Sequence, residues 1–159
     1  MRILAINTIM ALLLVATSAF RAAADDGVPN FNYPQTVMNN ADKSLNKALK
    51  NGNHPDVVKY LIQGTIAEAQ ISGDNIPGIL NKIDSVAAIE TDSAAIATLH
   101  YLKAVVYSSY FSNNAYAISQ RATVAGTRPS DLSEWSKDNY TDAVAECLAQ
   151  SFQYSDALW

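Results

Sequence analysis

Two histidines and one cysteine are the groups in this sequence best fitted to acid–base, metal or nucleophilic chemistry, and their spacing argues against all three. A helical metal site sets a second ligand three or four residues from the first. The residues at those distances are Lys50, Asn51, Val57 and Val58 around His54, and Ile96, Ala97, Lys103 and Ala104 around His100. His54 precedes Pro55 and reads as a solvated helix cap, whereas His100 flanks Leu99 and Tyr101 on an apolar stretch. Cys147 shares a stripe with Val144, Leu148 and Phe152 and reads as a small buried apolar residue. A Cys147–His100 dyad would need a Gly-rich turn or a helix N-terminus at the thiol to lower its pKa, and the sequence supplies neither. The chain also lacks a nucleophile elbow, a phosphate loop and a dinucleotide fingerprint. The expectation is therefore a protein that is not an enzyme, with no catalytic, cofactor-binding or metal residues.

Three short segments carry modification chemistry instead. Asn139-Tyr140-Thr141 is formally an N-glycosylation sequon, though it falls in a helical stripe where such a match is more often fortuitous. Asp84-Ser85-Val86 and Asp92-Ser93-Ala94 are similar to the Asp-Ser/Thr-apolar acceptor pattern of one bacterial O-glycosylation system.

These groups belong to an exported chain. Met1-Arg2, an apolar run from Ile3 to Val15, and Ala22-Ala23-Ala24 ahead of Asp25-Asp26 have the three parts of a signal peptide. The run is shorter than the roughly 18–20 residues of a spanning helix. Cleavage near Ala24 predicts a mature chain beginning at Asp25, outside the cytoplasm in periplasm, envelope or medium. With no cysteine beside the cut, a lipid anchor is not expected. Removing Arg2 and Arg21 takes the basic count from 11 to 9 against 15 acidic residues, a net charge of −6. Nucleic acid and anionic lipid are poor partners for that surface. A single cysteine rules out an internal disulfide, so stability must come from an ordinary core.

Within the mature chain, residues 25–33 read as an extended leader and residues 34–159 as one helical domain. Val37, Met38, Ala41, Leu45, Ala48 and Leu49 form one apolar stripe, stopped by Asn51-Gly52. Val57, Val58, Leu61, Ile62, Ile66 and Ala69 form a second after Asn53-His54-Pro55. Ile79, Leu80, Ile83, Val86 and Ala87 form a third. A fourth, capped by Thr91-Asp92, runs from Ser93 to Asn113 with a possible extension to Gln120, and a last stripe holds Tyr140, Val144, Cys147, Leu148 and Phe152. No segment alternates as a strand does. The fold expected is all-α, with about five amphipathic helices in antiparallel pairs, as an irregular bundle or a short helical-hairpin array.

The stretch Tyr116-Ala117-Ile118-Ser119-Gln120-Arg121-Ala122-Thr123, followed by Gly126, Pro129, Asp131-Leu132 and Glu134-Trp135, resembles a region near the N-terminus of very large secreted bacterial alpha-2-macroglobulin-like proteins. The likeness spans roughly residues 40–157 and is strongest over 96–150. It implies a helical module ahead of macroglobulin β-sandwich domains, in a family associated with protease trapping at the cell envelope. The Cys-x-Glu-Gln thioester motif of that family is missing, since Leu148-Ala149-Gln150 follows Cys147. No β-domain follows the helical segment either, so the expectation is a piece of a larger product or a free-standing relative.

In physical terms the motif residues make a loop clamp. Arg121 can hold carbonyls at a helix end, and Gly126 and Pro129 set the turn. Asp131 and Glu134 suit the positive end of the next helix, and Trp135 buries the junction. The partner expected is a protein or the downstream macroglobulin domains. An alternative is a free-standing interaction domain that uses Tyr107, Tyr110, Tyr116 and Trp159, because half-buried tyrosines with one polar end suit a protein seam.

Overall fold

The computed structural model describes residues 29–121 and 128–154. The segment read as a signal peptide, Gly126 and Trp159 lie outside the described residues. The described part of the leader, Asn30 to Tyr33, closes a turn in which Tyr33 N–H donates to the Asn30 carbonyl at 3.2 Å. Every regular element among the described residues is helical: α1 Pro34–Asn51, α2 His54–Ile71, α3 Ile76–Ala87, α4 Ser93–Asn113, α5 Ala115–Ser119, a 3-10 turn Leu132–Glu134 and α6 Lys137–Phe152.

Local chemistry sets these boundaries. Prolines occupy the first turns of α1, α2 and α3, where a missing N–H costs nothing. Gly52 ends α1 in the left-handed region at φ 63°, and the N–H of Gly52 returns to the α1 carbonyls. Asn53 caps α2 through Asp56 N–H, and Asp92 caps α4 through Ala95 N–H at 2.8 Å. Ser136 and Asn139 form a reciprocal capping box on α6.

α4 ends at Asn113, the shorter of the two ends expected, and in place of the possible extension to Gln120 the chain forms a sixth helix, α5. Asn114 interrupts α4: its side-chain amide donates to the Tyr110 carbonyl at 3.0 Å, and the chain restarts as α5. An asparagine side chain that bonds the local backbone competes with helix continuation in this way.

Two clusters make up the core. The larger is aliphatic and unites α1 to α4 through Leu45, Val57, Leu61, Ile79, Ile83, Leu99 and Leu102, all at or below 5% exposure. The smaller is aromatic and joins α4, α5 and the start of α6 around Ile118, Trp135 and Tyr140. α1 packs chiefly on α2. The long α4 packs chiefly on α6 and only secondarily on α3. Sequence order alone favours the α3–α4 pair; α3 is too short to cover α4, whose buried residues Ala95, Ala97, Leu99, Leu102, Ala104, Val105 and Val106 face several ways.

Candidate functional site

The segment with the most varied chemistry is the junction between α4 and α6. Trp135, 6% exposed, follows the 3-10 turn, and its ring stacks on Tyr107 of α4 with centroids 5.5 Å apart and planes 19° from parallel. Tyr140 of α6 meets the Trp135 ring at 5.2 Å and a 58° tilt, and it also contacts Tyr110 at 5.7 Å and Phe111 at 6.2 Å. Offset and tilted arrangements of this kind add to the burial energy of the rings. On the outer side, the Arg128 guanidinium lies 5.0 Å from the Trp135 ring centroid and forms a two-pronged bond with Glu146 at 2.8 and 2.9 Å.

Each ring also has a polar task. Trp135 Nε1–H donates to the Pro129 carbonyl at 2.7 Å, and the Tyr140 hydroxyl donates to the Leu132 carbonyl at 2.8 Å. Arg121 Nη1 donates to the Trp135 carbonyl at 2.9 Å. These three bonds hold a stretch with almost no helical hydrogen bonding of its own. Burial pushes the Tyr140 phenol up to about 12 and raises Tyr107 in the same direction. The Arg128 bond holds Glu146 below the usual carboxylate range.

The residues expected to form the clamp are thus partly reassigned. Arg121 bonds a carbonyl just before α6, not the exposed carbonyls that end a helix. Asp131 caps the 3-10 turn through Ser133 N–H at 2.8 Å, and Glu134 lies exposed in that turn. α6 takes its cap from Ser136 and its first-turn acid from Asp138. Pro129 contributes its carbonyl. Of the tyrosines, Tyr107 and Tyr110 are half-buried against the aromatic cluster, while Tyr116 on α5 is 83% exposed. Sequence reasoning missed Tyr140, whose hydroxyl fastens the turn; its position five residues after the buried tryptophan was the available signal.

Of the potential catalytic groups, His54 stands apart, while His100 and Cys147 share the charged neighbours Lys103 and Asp84. His54 is no solvated cap: its Nδ1 lies 2.5 Å from Oε1 of Glu90, a carboxylate with a 2% exposed side chain that also accepts from Thr91 and Asp92 N–H. That arrangement is a fastening between α2 and the α3–α4 loop. His100 stacks on Tyr154 at 6.4 Å, its buried Nδ1 makes no hydrogen bond, and burial lowers its pKa. Cys147 is buried and free, with its thiol pushed up by burial. The sequon is occupied structurally, because the Asn139 amide oxygen accepts from Ser136 and Tyr140 is 1% exposed.

Among the described residues, no group of three or more His, Cys, Asp or Glu side chains comes together in a way that could hold a metal ion. No described helix is long and apolar enough to cross a membrane. Compared with protein-family profiles, with curated proteins and with solved structures, the chain matches none.

Proposed function

We propose that this chain is a non-catalytic helical module of an exported alpha-2-macroglobulin-like protein, acting through contacts with protein rather than through chemistry of its own. The observation that carries the reading is the use made of the motif residues. Arg121, Pro129, Leu132 and Trp135, described residues of the stretch with the family likeness, bond or stack at the junction with backbone or rings of the same chain. A segment of that kind is a rigid connector between helices, which suits a module carried ahead of larger domains. His54 is tied to Glu90, and burial disfavours the ionised forms of both His100 and Cys147, which supports a role without turnover. On this reading α1 and α2 form an antiparallel hairpin, and α4 and α6 form a second one that closes the domain.

A free-standing interaction domain is the second reading. Tyr116, fully presented on the short α5 while Tyr107 and Tyr110 turn inward, is the observation that favours it.

The test is production of the whole precursor in a bacterial host, isolation of the envelope fraction and cross-linking of the mature protein there. The expected result is a species starting at Asp25 whose cross-links lead to a chain with macroglobulin β-domains. Retention of uncleaved precursor in the cytoplasm overturns the exported reading. Turnover of a peptide or ester substrate that disappears when His54, His100 and Cys147 are replaced together overturns the non-catalytic one. Cross-links confined to an unrelated partner, lost in Tyr116→Ser, favour the free-standing domain.

A further inference from the structure

The two Asp-Ser-apolar tripeptides are chemically alike in sequence and differ in the fold. Ser85 lies within α3, and its hydroxyl donates to the Asn81 carbonyl at 2.7 Å; its neighbour Asp84 is held by Lys103 Nζ at 2.6 Å. Ser93 opens α4, is exposed, and its hydroxyl is engaged by none of the described residues. The approach to Ser93 is also preset. Glu90 accepts the N–H groups of Thr91 and Asp92 at 2.7 and 3.0 Å and is itself gripped by His54, so the α3–α4 connection keeps one shape. That shape leaves Ala88, Ile89, Thr91 and Ser93 facing solvent, Ile89 at 64% exposure, with Asp92 in extended backbone at ψ 123°.

We propose that Ser93 is an O-glycosylation site of the exported protein, the acceptor being the exposed Ser93 hydroxyl on the pinned corner between part-buried Asp92 and Ala94. The proposal rests on the exported reading above. The glycan donor is an oligosaccharide joined to a lipid carrier through a diphosphate. The Ser93 oxygen attacks the anomeric carbon, the bond from that carbon to the diphosphate oxygen breaks, and the lipid diphosphate leaves with the electron pair. The hydroxyl proton passes to a base of the transferase. Ser85 is a poorer acceptor, because its hydroxyl is turned back on its own helix and the helical backbone around it cannot open without breaking α3.

The test uses the full precursor, expressed in a bacterium whose O-glycosylation system acts on Asp-Ser/Thr-apolar sites. The readouts are the intact mass of the envelope-fraction protein and fragmentation mapping of its peptides. The expected result is a single added glycan mass in the wild type and in Ser85→Ala, its loss in Ser93→Ala, and its return in Ser93→Thr, which keeps the acceptor hydroxyl. Equal thermal melting of the three variants, after enzymatic deglycosylation, shows that loss of the glycan is not loss of the fold. A mature chain that starts at Asp25 in the envelope fraction without added mass, or with the glycan on Ser85 or elsewhere, overturns this proposal and leaves the exported reading standing. Uncleaved precursor in the cytoplasm overturns both.

Discussion

The aliphatic cluster under α1 to α4 and the aromatic cluster between α4 and α6 are both buried, yet they solve different problems. In the first, Leu61, Ile83, Leu99 and Leu102 lie within regular helices, so their side chains have only volume to fill. In the second, the chain runs through Pro129 to Trp135 with only the short 3-10 turn to pair its backbone, and a buried carbonyl without a donor is costly. Trp135, Tyr140 and Arg121 each bring a donor on a large or long side chain, covering the turn and bonding it in one stroke. Aliphatic packing suffices where the backbone is regular; irregular backbone in a core calls for side chains with a polar end.

The contrast is tested most severely by substitutions at Trp135 and Leu61. Trp135→Ala should destabilise the domain by about 3–5 kcal/mol, and Leu61→Ala by about 2–5 kcal/mol, in chemical denaturation without ligand. The pair separates at the conservative step. Leu61→Met should cost less than about 1.5 kcal/mol, whereas Trp135→Phe should lose about 1–3 kcal/mol from the stranded Pro129 carbonyl in addition to the lost ring volume. Similar small costs for both would erase the distinction.

Next in size, Arg121→Ala should cost about 1–3 kcal/mol by removing the donor to the Trp135 carbonyl. An Arg121→Ala protein that melts with the wild type would show that water reaches that carbonyl.

Tyr140→Phe should cost about 0.5–1.5 kcal/mol at neutral pH and should also change the alkaline limb of the stability curve. The Tyr140 phenol sits at about 12 against an ordinary 10.0, so the folded state holds its proton more tightly than the unfolded state does. The Tyr140 contribution should be complete below about pH 10 and fall as pH rises toward about 12. Tyr140→Phe should flatten that part of the slope, leaving the shares due to Tyr107, Cys147 and Lys103, whose pKa values are also raised. A slope unchanged in Tyr140→Phe would remove Tyr140 from the buried set.

The smallest effect belongs to the rim. Glu146→Gln should cost no more than about 1 kcal/mol, and the difference should shrink further in high salt, because Glu146 is exposed. A larger loss would mean that Arg128 is held over Trp135 mainly by this carboxylate and that the outer side of the cluster is part of its core.

The regular half of the molecule was far easier to read from the chain than the irregular half. Period, proline and glycine mark α1, α2 and α3 almost to the residue, because Gly52, Pro55 and Pro77 act on their own backbone and need no distant partner. α4 was legible as a helix but not in its packing. Apolar residues on several faces carry no direction, so nothing in its own sequence chooses α6 over α3. Its end at Asn113 was legible; what the local pattern left open was a run on to Gln120, which the Asn114 side chain stops by turning back on the helix. In the clamp, the burial of Trp135 follows from its size, but the carbonyl that each donor meets depends on a loop path that local propensity does not encode. The His54–Glu90 fastening spans 36 residues and leaves no mark at either position.

α4 is the long helix common to both clusters, which Leu132 of the 3-10 turn also touches. Its inner residues serve the aliphatic cluster while Tyr107, Tyr110 and Phe111 serve the aromatic one, so neither cluster can come apart without stripping a face of the same helix. Amide protons near the middle of α4 should therefore exchange with deuterium only when the whole domain opens, while those of α1, which touches one cluster alone, can exchange through smaller openings. The molecule is in that sense one cooperative unit built on a shared spine, and damage at either end of α4 should be felt as faster exchange at the other.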